Sequence, residues 1–171
     1  MPSRHVTLSE VERYICTQMR AALQKDLLTH RMIREGDLEC CAYHHLRGFL
    51  KGDGRWRVFA RKYSGAIGRY PDLTIVMDLK PRIAVELKWR RKKISCKDRG
   101  TLRACLTRMP HVRKVYFITT ALEKGDFRKL GWRKRADEKY KLRELVVALD
   151  PSPLERKRWE EERDKYKSAF A

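Results

Sequence analysis

Apolar positions recur along this chain with two different periods. Val11, Ile15 and Met19 fall four apart behind Ser9, which stands three residues before Glu12. That capping-box spacing and the helical repeat predict a helix over 9–28. Asp37 reads as a second N-cap, and Leu38, Cys41, Ala42, His45 and Phe49 follow at helical spacing until Gly52-Asp53-Gly54 ends the run beyond Lys51. There the period changes. Arg55–Tyr63 reads as a strand, Ser64-Gly65 with Gly68 as a loop, and 72–78 and 83–89 as two further strands joined by a tight turn around Lys80-Pro81. A helix over 97–109, a strand over Val112–Thr119, a basic and partly helical stretch over 123–142 and a last strand over Leu145–Leu149 follow. Pro151 and Pro153 open a C-terminal helix in which Trp159, Glu162, Tyr166 and Phe170 share a stripe that docks on the body of the domain or on a partner chain.

The order helix–strand–strand–strand–helix–strand predicts an α/β fold with a mixed sheet flanked by helices. With 171 residues, 42% of them apolar, the chain has material for one ordinary domain with a real core, under a surface that 37% charged residues make heavily ionic. The longest uninterrupted apolar run is Leu145–Leu149, far short of the roughly 20 residues of a membrane helix. The opening Met-Pro-Ser-Arg-His lacks the apolar stretch of an export signal. The expectation is a cytoplasmic or nucleoid-associated protein, neither secreted nor membrane-bound. Five cysteines, an odd number with no CxxC pair, exclude a zinc ribbon or an iron–sulfur motif and read as reduced, packed side chains. Cys41 and His45, four apart on a helix, make half a metal site without a second half.

Charge sharpens this picture. The net charge is +19, and residues 80–114 alone hold 13 basic against 2 acidic side chains. A basic tail would have placed that excess at an end. A positive field concentrated inside a folded domain predicts a polyanionic partner, nucleic acid before an acidic membrane surface, because 88–100 lacks the bulky apolar face of a membrane-binding helix.

The two central strands place chemistry beside that field. In 83–89, Ile83, Val85 and Leu87 point one way, and Ala84, Glu86 and Lys88 the other. In 72–78 the apolar set is Leu73, Ile75 and Met77. Burying both apolar sets on one face pairs odd positions with odd and even with even. The simplest such hairpin sets Asp78 opposite Arg82 and Asp72 opposite Lys88, with Glu86 diagonally adjacent, so Asp72, Glu86 and Lys88 gather on one face. Two carboxylates this close repel unless a cation lies between them. Oxygen ligands on short strands suit Mg²⁺ or Mn²⁺, and a lysine beside such an ion can contact a phosphate or help activate water.

Pro71-Asp72, a spacer of 13 residues, then Glu86-Leu87-Lys88 at the end of an apolar strand resembles the PD-(D/E)xK nuclease superfamily. The resemblance covers about residues 31–120 and includes the order of elements, with one helix before the first strand and another after the ExK strand. Ser64-Gly65 after the basic first strand, followed by Pro-Asp, also looks like the archaeal Holliday-junction resolvase branch. The resemblance implies a restriction-endonuclease-like core (α-β-β-β-α-β) with an extra N-terminal and a C-terminal helix. Residues 1–150 would form a single nuclease-like domain, with helix 9–28 packed on it, and 151–171 a helical appendage. It further implies a metal-dependent endonuclease in which Asp72, Glu86 and the Leu87 carbonyl hold Mg²⁺ or Mn²⁺ and Lys88 is the catalytic lysine. An acidic residue from the preceding helix completes many such sites. Glu35 and Glu39 are both candidates for it, Glu39 lying inside the capped helix.

Trp89-Arg90-Arg91-Lys92-Lys93 leaves the strand at the edge of this site, where phosphates must pass. Arg90, Arg91, Lys92 and Lys93, together with Arg61, Lys62, Ser64, Arg69, Lys97 and Arg99, are the expected nucleic-acid contacts. Trp89 has odd parity and belongs in the core. The expected partner is DNA in preference to RNA, and a homodimer is compatible with the docking stripe. Two other functions compete: a nucleic-acid-binding protein that keeps the fold without turnover, and a toxin or effector nuclease.

Overall fold

The computed structural model describes residues 5–61, 65, 68–89, 94–121, 142–148 and 153–169. Val11, Ile15, Met19, Leu23 and Leu27, placed four apart, are all fully buried in one core. On a helix of 3.6 residues per turn each four-residue step advances by about 40°, so the last would stand about 160° from the first. A wide turn takes back much of that drift. Helix α1 (Leu8–Tyr14) passes into a π-helical segment, Ile15–Met19, and then into α2 (Arg20–Leu28).

The start of this helix differs from the sequence expectation. The capping box is Thr7 with Glu10, not Ser9 with Glu12: Glu10 N donates to Thr7 Oγ1 (3.3 Å) and Thr7 N to Glu10 Oε2 (2.7 Å). The cause is Val6, whose N–H donates to Asp53 and whose carbonyl accepts from Trp56 Nε1, which holds the chain extended up to Thr7. Glu12 pairs instead with Lys114. Helix α3 (Glu35–Leu50), with Arg34 at its N-cap, likewise begins three residues before the position that Asp37 suggested. Asp37 lies within the first turn, and its carboxylate reaches back to accept from the N–H groups of Ile33 and Arg34. Leu38, Ala42, Leu46 and Leu50 form the fully buried stripe, while Cys41 and Phe49 pack partly buried beside it.

A five-stranded mixed sheet follows, in the order β1 (Trp56–Ala60), β2 (Leu73–Met77), β3 (Lys80–Lys88), β4 (Lys114–Ala121) and β5 (Leu142–Ala148). The first three strands are antiparallel; β4 and β5 run parallel to β3. Helix α4 (Cys96–Arg108) makes the crossover from β3 to β4. Odd positions Ile83, Val85 and Leu87 join the core beneath α1–α3. Ala84 joins a second core with Leu102 and Cys105 of α4 and Phe117 of β4. Both faces are therefore covered, as a parallel half-sheet requires. Helix α5 (Pro153–Ala169) docks on the body: Trp159 is buried and its Nε1 donates to the Leu27 carbonyl (2.9 Å), while Glu162 meets His30 (3.3 Å). Tyr166 and Phe170 lie outside the described side chains, and the expected basic stretch lies outside the described residues over 122–141. No described helix is long and apolar enough to cross a membrane.

The β2–β3 register corrects the expected hairpin. The turn is Asp78-Leu79, not Lys80-Pro81; both residues have positive φ (49° and 62°), as a two-residue type I′ turn requires. That turn closes on Met77↔Lys80, an odd–even pair that would send the two apolar sets to opposite faces. A bulge repairs it. Val76 pairs with Pro81 and Ile75 with Ile83, so Arg82 is the additional residue and odd–odd pairing holds from there to Leu73↔Val85. Pro81, which has no N–H to give, sits where the ladder is already interrupted. One residue further along this ladder, Asp72 comes opposite Glu86 rather than Lys88.

Candidate active site

Three elements end at one place. Asp72 immediately precedes β2, Glu86 to Lys88 close β3, and Glu35 opens α3. The Asp72 carboxylate is buried and fixed by the backbone, with Leu87 N donating to its Oδ2 at 2.7 Å. The Glu86 carboxylate is buried beside it. Lys88 Nζ lies 3.0 Å from Glu86 Oε1, 3.4 Å from Asp72 Oδ2, 3.3 Å from Glu35 Oε1 and 3.0 Å from the Leu87 carbonyl. The second oxygen of Glu35 accepts from Trp89 N (3.3 Å), and the Trp89 side chain packs on the core beneath α3, as its parity requires. Glu86 Oε2 is buried without a hydrogen-bond partner among the described residues.

Burial and crowding perturb all three groups of the motif. Burial first, then the Asp72 charge, push Glu86 up to about 7, and Lys88 only partly offsets them. Burial also raises Asp72, against the pull of the Leu87 N–H and the Lys88 ammonium. Desolvation pulls Lys88 down, but the charges of Asp72 and Glu86 outweigh it and hold the ammonium above its ordinary value. Near neutral pH the cluster thus contains a firmly protonated lysine and a glutamate that is ionised only in part.

Among the described residues, no group of three or more His, Cys, Asp and Glu side chains is arranged to hold a metal ion. The oxygens that converge on Lys88 Nζ come from three carboxylates, those of Asp72, Glu86 and Glu35, and from the Leu87 carbonyl. This donor set is the hard, all-oxygen kind that Mg²⁺ takes when it keeps several waters, and the unpartnered Glu86 Oε2 adds a further lone-pair donor. The residues fit such an ion in type, with the ammonium standing where its charge would lie.

The helix glutamates separate by geometry. Glu35 joins Lys88, whereas Glu39, one turn later, receives two guanidinium nitrogens of Arg61 (Nε to Oε2, 2.9 Å). Arg61 has φ 43° and also donates its backbone N–H to the Asp72 carbonyl (2.8 Å), so it braces the residue before β2. Arg69 ties its loop to α4, donating to the Lys97 carbonyl (3.2 Å) and Thr101 Oγ1 (3.3 Å). Lys97 and Arg99 are exposed at the start of α4. Lys62, Ser64, Arg90, Arg91, Lys92 and Lys93 lie outside the described residues.

Sequence reasoning missed the Arg61–Glu39 pair, which ordinary spacing cannot signal across 22 residues. It also missed Thr119, buried on β4 in register with Lys88. His45 finds its partner in Asp26 (Nε2 to Oδ2, 2.6 Å), and burial with Asp26 pushes the Cys41 thiol up to about 12, so neither offers itself to a metal. Comparison with protein-family models, with curated proteins and with solved structures finds no match for this chain.

Proposed function

We propose that this chain is a metal-dependent nuclease of the PD-(D/E)xK kind, with a restriction-endonuclease-like core, hydrolysing phosphodiester bonds of nucleic acid, DNA in preference to RNA. One observation carries the reading. Asp72, Glu86 and the Leu87 carbonyl converge on a single cation at the sheet end, and Glu86, Leu87 and Lys88 belong to the segment 80–114 that holds the largest share of the net positive charge. A salt bridge alone does not need two buried carboxylates and an unpartnered oxygen, since each adds a cost that simple pairing would avoid.

Asp72, Glu86 and the Leu87 carbonyl would hold Mg²⁺ or Mn²⁺. The ion, when bound, supplies charge against the phosphate and lowers the pKa of a water. With an ion held by the two carboxylates, Lys88, still paired with Glu35, would be the cation available to a non-bridging phosphate oxygen. Being protonated, it stabilises developing negative charge rather than taking a proton. Glu35, held by Trp89 N, orients Lys88, and Arg61 with Glu39 forms the rim on the α3 side. Exposed Lys97 and Arg99 lie where the phosphate backbone would be steered.

A second reading, a nucleic-acid-binding protein without turnover, draws on the closure of the cluster by Lys88. Incubation with duplex, single-stranded and branched DNA and with RNA, in Mg²⁺, Ca²⁺ and EDTA, separates the two. Cleavage in Mg²⁺ alone supports the nuclease; binding to the panel with no cleavage in any metal supports the binder.

A further inference from the structure

Two cations flank Asp72, and they are held very differently. Lys88 Nζ is met by three carboxylates and a carbonyl, and its side chain is 16% exposed. The Arg61 side chain is 64% exposed, and among the described residues its guanidinium meets one group, the Glu39 carboxylate. A phosphate arriving from solvent therefore has readier access to Arg61. Glu39 is the inverse case: its side chain is 12% exposed, and among the described residues Arg61 is the cation that neutralises it.

The backbone of Arg61 is tied down independently of its side chain. Its N–H donates to the Asp72 carbonyl (2.8 Å), one pair beyond Ala60↔Leu73, and a bonded pair of this kind sets the two Cα atoms about 5.5 Å apart. Its φ of 43° is one that a non-glycine residue keeps only where its surroundings impose it. Arg61 is thus tethered beside Asp72, with a long arm whose one charged partner can be exchanged. The charges link both ends of that pair to the site. Glu39 first, then the charges of Asp72 and Glu35, hold the Arg61 guanidinium above its ordinary value. Asp72, raised chiefly by burial, is raised further by the Glu39 charge. A cation at Asp72 therefore lies in the field of Glu39, and Arg61 cancels that field while it sits on Glu39.

We infer that Arg61 exchanges Glu39 for a substrate phosphate, and that this exchange makes nucleic acid and the divalent ion bind cooperatively. The inference rests on the nuclease reading for the nature of both ligands. Phosphate and carboxylate each offer the guanidinium a pair of oxygens, so one can replace the other. Once the phosphate takes Arg61, Glu39 is left nearly buried without a counter-charge, a costly state that a divalent ion at Asp72 relieves. The ion in turn draws on Glu39 and releases Arg61 to the phosphate, with the same coupling factor in both directions.

The test is the dissociation constant for a blunt duplex and for a branched DNA, in EDTA and in saturating Ca²⁺ at matched ionic strength. It is measured for the parent, Glu39→Gln, Arg61→Gln and the double variant, and the ratio of the two constants is the coupling factor. Removing either charge shifts the local field and so moves both constants. Only partner exchange makes their ratio depend on both residues. The parent's ratio should exceed that of each variant by roughly tenfold. The three variants should share one residual ratio, left by direct contact between ion and phosphate, because the two residues act as a unit. In EDTA, Glu39→Gln should bind either DNA more tightly than the parent, having no carboxylate to compete for Arg61. A parental ratio in any variant, or Glu39→Gln binding no more tightly in EDTA, would overturn the inference. Should Arg61→Gln not fold, Glu39→Gln decides alone. A ratio lost in the variants without parental cleavage in Mg²⁺ supports the exchange while removing the nuclease reading. Parental cleavage in Mg²⁺ with the ratio unchanged in the variants does the reverse.

Discussion

Replacing Glu86 by Gln should stabilise the protein at neutral and alkaline pH while removing the proposed cleavage. Glu86 is buried beside Asp72, and its carboxyl is raised from the ordinary 4.5 to about 7. The folded state therefore holds a proton that the unfolded chain releases between those values. The stability Glu86 contributes is present in full below about 4.5 and is lost as pH rises through about 7. At about 1.4 kcal/mol per pH unit, the loss is about 3 kcal/mol, shared with Asp72 because the two carboxylates titrate as a pair. Gln keeps the shape and an oxygen for Lys88 but does not titrate. The stability of Glu86→Gln relative to the parent should thus grow by up to about 3 kcal/mol from pH 4.5 to 8, which moves a urea midpoint by about 1–2 M. Urea unfolding followed by far-ultraviolet circular dichroism across that range measures it. A difference that stays flat with pH, or that falls as pH rises, would refute the claim that burial and Asp72 oppose ionisation of Glu86.

Lys88→Ala should lower single-turnover cleavage by roughly 10² or more. Binding should lose at most about one unit of log–log salt slope, the single phosphate contact that Lys88 would make; a wild-type rate at saturation would remove it from the chemistry. Glu35→Gln should weaken cleavage by loosening Lys88, and Glu39→Gln should act chiefly by freeing Arg61, with a smaller effect on rate; single-turnover rates in the reverse order would transfer the anchoring role to Glu39. Asp53→Asn should cost about 1–3 kcal/mol at pH 7, since a single uncharged oxygen must then serve both Val6 N and Arg55 while the new amide N–H₂ faces one of these donors. Arg55 and burial acting in opposite directions leave Asp53 well below its ordinary value, so its contribution is present above about pH 4 and lost as pH falls below it. Urea midpoints of parent and variant should therefore converge in acid, and a gap that persists there would contradict the assignment.

The sequence made the faces of the central hairpin legible because alternation is enforced by burial on both sides of a strand. Parity survives any even shift, so the gathering of Asp72, Glu86 and Lys88 followed from Leu73, Ile75, Val85 and Leu87 alone. The offset did not. It depends on Asp78-Leu79 turning with two positive φ angles, which Leu79 does not advertise, and on a bulge that compensates for it. The helix over 9–28 was legible from its four-residue stripe, but the π-helical segment that lets that stripe stay buried leaves no local mark. Its cap was misplaced because Val6 is held by Asp53 and Trp56, 47 and 50 residues away. The same limit applies to the helix glutamates. Glu35 and Glu39 share a face one turn apart, and only the position of Arg61, brought in by β1, decides which of them is left to meet Lys88.

If two buried carboxylates and a carbonyl form a cation site for phosphodiester hydrolysis, removing the divalent ion or a carboxylate must stop the reaction. The most direct measurement is single-turnover cleavage of a labelled DNA panel by the parent chain and by Asp72→Ala, in Mg²⁺ and in EDTA, alongside binding of both proteins to the same DNA. The parent should cleave in Mg²⁺ and not in EDTA. Asp72→Ala should cleave in neither condition, with binding retained or strengthened because a negative charge facing phosphate is gone. Full cleavage in EDTA, or cleavage by Asp72→Ala at the parent's rate, would contradict it.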